Sequence, residues 1–367
     1  MRILKDLGII LLWFDSLGAK SASIYLETSM GGLVIDPGAA SMQPSYPLSS
    51  GEKRNLRRKA INKIEEYCWK SKIMIITHYH YDHHVLPNDI DLRNPKAMYL
   101  KGKLLILKNP NMYINESQWN RSRLFISKLI SLAGDKISNY IEEPEMKDFT
   151  DPVQELNYAL KRDFGDYSSR RAELLEKGKR WFNNLTRKLW GTKPWIKEGI
   201  VLSYGTKIIW GDGKKLELGD TTINIFNPWF HGIEYDRTGW VTPILIIKNN
   251  RKIFYTSDLM GPQIEDYAYK IADIRPDAII ADGPPTYLFP YMLNRINLNR
   301  AIENMIYIIE SAKPKIVIYD HHLLREKRWR ERTRPVFEAA KRMGVNITTA
   351  AEYMGLQPLI DIISKGN

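Results

Sequence analysis

Four of the chain's seven histidines fall between positions 78 and 84, in the run Thr77-His78-Tyr79-His80-Tyr81-Asp82-His83-His84. The other three are His231, alone, and the adjacent pair His321 and His322. Neutral imidazole is the commonest metal ligand, and nitrogen with carboxylate oxygen suits a hard or borderline divalent ion. The distribution therefore points to one shared metal centre. In extended backbone, residues two apart point the same way, so His78 and His80 can grip one ion. The chain must then turn for Asp82 and His83 to reach a second. Two ions about 3.5–4 Å apart can share a hydroxide and clamp both sides of a displacement at a carbonyl or phosphoryl centre.

Such a run needs a rigid element to deliver it. Ile73 to Ile76 is a fully apolar strand that ends abruptly in Thr77 and His78, after an amphipathic helix expected from Glu52 to Trp69. Before the helix, Ile9–Phe14, Ser23–Glu27 and Leu33–Ile35 read as short strands. Further strands are expected at 207–210, 221–226, 242–248, 252–256, 278–281 and 316–319, with helices at 263–271, 299–311 and 325–343. Several strands end in polar clusters, at Ser257-Asp258, Asp282-Gly283 and Asp320-His321-His322. Strand ends are where α/β folds build sites. Between 94 and 199 the pattern turns to long helical stretches, 118–132 and 167–189, broken by Pro144, Pro152 and Gly165. The chain thus divides into a first half-domain (1–93), a mainly helical insertion or cap (94–199) and a second half-domain (200–367).

Composition narrows the chemistry. A single cysteine, Cys68, excludes an intramolecular disulfide and a thiolate ligand set, so any metal sits on His, Asp or Glu. The apolar stretch 9–14 is too short to span a bilayer, and no cleavage pattern follows it, which favours a cytoplasmic protein with no membrane partner. The net charge of +12 favours anionic ligands, nucleic acid or nucleotides among them. The basic run Arg325, Lys327, Arg328, Arg330, Arg332 and Arg334 reads as a solvated helix face before it reads as a phosphate site. In the insertion, Trp119, Arg121, Arg123, Arg170, Arg171, Lys188 and Trp190 interleave aromatic and basic groups, as a single-strand binder would. Packing of amphipathic helices explains them more simply.

The pattern H-x-H-x-D-H resembles the metallo-β-lactamase superfamily, for which it is diagnostic. Closer in, Ser16-Leu17-Gly18, Val34-Ile35-Asp36-Pro37-Gly38, Ala281-Asp282-Gly283-Pro284-Pro285-Thr286-Tyr287 and Asp320-His321-His322-Leu323-Leu324-Arg325 resemble an archaeal family of uncharacterised metallo-β-lactamase-fold hydrolases. The resemblance implies an α/β fold, an αββα sandwich carrying a largely helical insertion. It also implies a ligand set: His78, His80 and His231 on one ion, Asp82, His83 and one of His321 and His322 on the other, with Asp258 bridging. Asp36 would brace the site. Zinc is the first expectation for the two divalent ions, with manganese or iron as alternatives. The residues after His83 lack the Gly-Gly of glyoxalase II relatives, and Tyr81 stands where RNase Z relatives carry Gly, which weakens thioesterase and tRNA-processing assignments.

The chemistry expected is hydrolysis by a metal-bound hydroxide. Asp82 would orient the nucleophile or take its proton, while His84 and the spare member of the 321/322 pair are candidates for leaving-group protonation. Asp282, in Asp-Gly-Pro-Pro, reads as a turn residue. An anionic ester, such as a phosphodiester of nucleic acid or a nucleotide, leads as substrate. The alternatives are a lactonase or other small-molecule carboxyl-ester hydrolase, and a metal-bearing module that binds nucleic acid or a partner without turnover.

Overall fold

The computed structural model of the chain describes residues 3–145 and 147–364. Two seven-stranded sheets form its centre. The first contains β1 (Ile9–Phe14), β2 (Ala22–Leu26), β3 (Gly32–Ile35), β4 (Ser71–Ile76), β5 (Leu104–Leu107), β6 (Ile200–Val201) and β7 (Lys207–Trp210), in the order β1-β2-β3-β4-β5-β7-β6. The second runs in chain order through β8 (Lys215–Leu218), β9 (Thr221–Ile225), β10 (Ile244–Lys248), β11 (Arg251–Tyr255), β12 (Ala278–Asp282), β13 (Ile316–Asp320) and β14 (Asn346–Thr348). Each sheet begins as an antiparallel meander. Each then turns parallel, from β3 to β7 in the first and from β11 to β14 in the second.

Side-chain alternation explains the layering. Ile73 and Ile75 of β4 pack in one apolar cluster with Ile246, Ile253, Ile280, Ile316 and Ile318 from the opposite sheet, while Met74 and Ile76 belong to another. Likewise Phe254, Ile279, Val317 and Tyr319 face away from the partner sheet. Strands apolar on both faces must be covered on both. The outer cover of the first sheet includes α1 (Ser50–Lys70), opened by a capping box between Ser49 and Glu52. The second sheet's cover comes from α4 (Glu265–Ile274), α5 (Arg295–Ala312) and α6 (Trp329–Met343). The result is the αββα metallo-β-lactamase fold.

The excursion between β5 and β6 is mainly helical, built on α2 (Glu116–Leu132) and α3 (Ser168–Leu185). Its expected start at 94 needs correction, because Leu104–Leu107 is a central parallel strand between β4 and β7. A four-residue apolar run carries too little periodicity to declare itself. Buried Trp119 and Trp190 join the main core, the latter donating its Nε1–H to the carbonyl of Ile114 at 2.9 Å, so the insertion's tryptophans pack rather than face a ligand. Among the described residues no helix is long and apolar enough to cross a membrane.

Ile246 is surrounded by apolar side chains of the intersheet layer, so truncating it leaves a void. Ile246→Ala, at a fully buried position, is expected to cost about 3 kcal/mol, read from the midpoint of denaturant unfolding. An unchanged midpoint would contradict this account of the sandwich core.

Candidate metal centre

The C-terminal ends of five parallel strands converge on one buried volume. Asp36 follows β3, Thr77 follows β4, Asp258 lies three residues past β11, Asp282 ends β12 and His321 follows β13. The last residues of β12 and β13, Asp282 and Asp320, are paired directly across the ladder, so the two ends are level. The turns out of these strands use left-handed backbone at three non-glycine residues, Asp36 (φ 50°), Ser257 (φ 50°) and His321 (φ 55°). Such strain is held only where surrounding bonds over-determine the backbone.

Those bonds centre on Asp36. Its carboxylate accepts from the Thr77 amide (2.8 Å), the Thr77 hydroxyl (2.7 Å), the Tyr255 hydroxyl (2.6 Å) and His83 Nδ1 (2.9 Å). Two residues on, Gly38 lies so close to the histidine run that a Cβ there would overlap the backbone of His83 and His84.

The expected ligands assemble into two adjoining groups. His78, His80, His231 and Asp258 each offer an atom within 4.8 Å of the others, and so do Asp82, His83 and His321. Asp258 lies between the groups. Its Oδ2 is 3.4 Å from His78 Nε2 and 3.2 Å from His231 Nε2, while its Oδ1 is 3.0 Å from His83 Nε2 and 3.3 Å from His321 Nε2. Despite these distances, both Asp258 oxygens and the Nε2 atoms of His78 and His231 are buried without a well-aligned hydrogen bond. Leaving buried polar atoms unsatisfied costs roughly 1–3 kcal/mol each. Their lone pairs aim at a common space rather than at one another, and the donor set of imidazoles and carboxylates fits divalent ions there.

Of the adjacent pair, His321 joins Asp82 and His83, its Nε2 being 3.3 Å from His83 Nε2 and 3.7 Å from Asp82. Its Nδ1 rests on Asp15 at 2.9 Å, which frees Nε2 for an ion. His322 binds Asp282 through Nδ1 at 2.9 Å, and its Nε2, 4.0 Å from Asp258 Oδ2, makes with Asp258 and His321 a third group that could hold an ion.

Two expectations change, those for His84 and Asp282, while the basic run keeps the solvated-face reading except at Arg325. His84 is not brought to the centre; the turn at 81–83 sends its ring outward against Phe125 (centroids 5.2 Å apart), with Nδ1 on the His80 carbonyl. Asp282 is no simple turn residue but the buried partner of His322, and it also accepts from the Met260 amide at 2.8 Å. The basic run is largely neutralised locally: Arg328 pairs with Glu331, Arg330 with Glu352 and Asp361, Arg332 with Glu326, and Arg334 with Glu338. Only Arg325 reaches the site, binding Asp15 at 2.5 Å and Asp82 at 3.2 Å. Asp15 escaped the sequence reading altogether; its one signal was its place at a strand end, just before Ser16-Leu17-Gly18.

Electrostatics separates the imidazoles. Burial, helped by the neighbouring His83 ring, pushes His78 down to about 4, and burial also holds His80 and His322 well below the usual range. Burial works the same way on His83, but the carboxylates of Asp258 and Asp36 overcome it and hold the ring up to about 10. Asp15 and Asp258 likewise outweigh burial to raise His321. Burial and the Asp258 charge lift Asp282 to about 7.

No family model matches the chain. It is 28% identical over 357 residues to a UPF0282 protein of Methanocaldococcus jannaschii, covering 96% of this chain and 93% of the relative. A UPF0282 protein of Methanopyrus kandleri is 26% identical, with 95% and 94% covered. The resemblance to an archaeal family read from the motifs thus extends over nearly the whole chain. Among solved structures, unliganded yeast PDE1 is similar at a TM-score of 0.46 with 12% identity, covering 93% of this chain and 96% of that one. The metallo-beta-lactamase fold protein YhfI from Bacillus subtilis follows at 0.39, 12% identity and 90% of each chain. The fold assignment stands on sheet order and layering rather than on these likenesses.

The carboxylates that raise His83 and His321 favour a proton on the nitrogens an ion would need. Divalent-ion binding at neutral pH is expected to release about two protons, one per raised imidazole, and to tighten as pH rises towards 10. Calorimetric titration in buffers of different ionisation enthalpy reads this directly, and a buffer-independent enthalpy would refute it.

Proposed function

We propose that the chain is a binuclear metal-dependent hydrolase acting on an anionic ester, a phosphodiester of nucleic acid or a nucleotide first among them. The observation that carries the reading is the position of Asp258, with one oxygen facing His78 and His231 and the other facing His83 and His321. In this reading His78, His80 and His231 would hold one ion and Asp82, His83 and His321 the other, with Asp258 available to both. Zinc suits the set, as do manganese and iron. Bound ions would supply Lewis acidity and a water acidic enough to be a nucleophile near neutral pH.

The chain's own groups have separable tasks. Arg325, tied to Asp15, fixes one oxygen of Asp82, leaving the other to orient a water or take its proton. Asp36 and Asp15 fix the tautomers of His83 and His321 by holding Nδ1. His322, oriented by Asp282 and kept neutral by burial, would accept a proton or hydrogen bond at Nε2 rather than protonate a leaving group, the task expected of His84 or the spare member of the 321/322 pair. Solvent reaches the centre chiefly at half-buried His80 and at Asp82, beside exposed Tyr81, over whose ring Arg121 lies at 5.1 Å. Anionic substrates are favoured by the net charge of +12.

The test assays purified, metal-loaded protein on bis-p-nitrophenyl phosphate and on a panel of lactones. Phosphodiester turnover is expected, abolished by chelation, restored by metal, and reduced at least about 100-fold in Asp258→Asn. Lactone turnover alone would overturn the phosphodiester assignment. Full metal occupancy with no turnover of either would favour a binding module.

A further inference from the structure

Resting on the two-ion reading above, we propose that Gln118 is a positioning residue whose side-chain amide ties the loop carrying His78 and His80 to the loop carrying His231. The insertion then serves as a brace for one half of the ligand set.

Gln118 sits at the third position of α2, whose N-cap is Asn115, and its side chain is fully buried. Its Oε1 accepts from the amide of Tyr79, the residue between His78 and His80, at 3.2 Å. Its Nε2 donates to the carbonyl of Thr238 at 2.7 Å. These partners fix the orientation of the amide, because the reverse would oppose donor to donor and acceptor to acceptor. Thr238 in turn donates its hydroxyl to the His231 carbonyl at 2.6 Å, and the His231 amide donates to Gly239 at 2.9 Å. One amide therefore stands a single residue from two ligands on one side and two hydrogen bonds from the third on the other.

The approach is built into both elements. Asn115 reaches the same loop, its Nδ2 donating to the Arg237 carbonyl at 2.5 Å. Gly239 adopts φ +101°, and a Cβ there would press on Gln118 Nε2 and Asn115, so the loop lies against α2 only because this residue is glycine. From α3, Gly178 leaves room for the Tyr235 ring of that loop, and Arg171 binds Glu234 at 2.8 Å. Among the described residues no hydrogen bond joins the insertion to His83 or His321, which are held by Asp36 and Asp15 of the sandwich itself; α2 meets that side only by ring contacts, Phe125 on His84 and Arg121 over Tyr81. Loss of the amide should therefore act on one ion and spare the other.

Metal-free wild type, Gln118→Glu and Gln118→Met are titrated with Co2+ against a competing chelator, with circular dichroism reporting the fold. His231→Ala identifies which binding event belongs to the group of His78 and His80. Gln118→Glu sets an acceptor against the Thr238 carbonyl, and Gln118→Met keeps the length without the amide. Both are expected to weaken that event about tenfold and leave the other unchanged. Equal weakening of both events, or of neither, overturns the proposal, as does loss of fold in Gln118→Met, which would make the amide a folding determinant. Failure of the wild type to bind two ions would instead sink the two-ion reading.

Discussion

The centre depends on one buried carboxylate that belongs to neither ligand group. Asp36 takes hydrogen bonds from β4's end, from the His83 ring and, through Tyr255, from the opposite sheet. Four donors, one of them the positively charged His83 ring, fill most of a carboxylate's acceptor capacity. Because the donors come from both sheets, the same bonds fix the offset of one layer against the other at the edge where the site opens. The left-handed turn at Asp36 and the close approach of Gly38 to His83 follow from that requirement.

Around this anchor, imidazoles and carboxylates alternate. Each ring in the Asp82 group turns one nitrogen outward to a fixed acid, His83 to Asp36 and His321 to Asp15, and the other inward. Asp258 collects the inward nitrogens of both groups. Such an array keeps many ionisable groups within a few ångströms because each raised imidazole has a carboxylate at both nitrogens, even where the His83 and His321 rings approach to 3.3 Å. His78 and His80 lack a carboxylate on their outer nitrogens, and burial keeps them neutral, as ligands must be.

The insertion enters this picture mechanically. Its aromatic side chains stack with Trp240, which flanks the His231 loop, with Trp181 parallel to it at 5.6 Å and Trp190 edge-on at 5.6 Å. Arg300, Glu234 and Glu265 form a buried ionic cluster that Arg171 and Arg162 of the insertion complete. Burying that much charge is justified less by net stability than by the single geometry it enforces.

Clustered histidines, polar strand ends and apolar strands pointed to one centre and to most of the sandwich, and the family resemblance supplied the candidate residues that the fold brings together there. Strand type follows from local side-chain pattern, and local pattern is what a sequence carries. Leu104–Leu107 was illegible because four apolar residues fit a strand or a helix equally until β4 and β7 flank them. The approach of His321 to Asp82 and His83, the turn of His84 away from the centre, the recruitment of Asp15 and Asp282, and the span of Gln118 between two loops were decided only in three dimensions. Asp15 and His321 lie 306 residues apart, and Asp282 and His322 40 apart. No local spacing encodes which ring nitrogen meets which acid; that depends on how strand ends from two sheets come level and which way each turn leaves them.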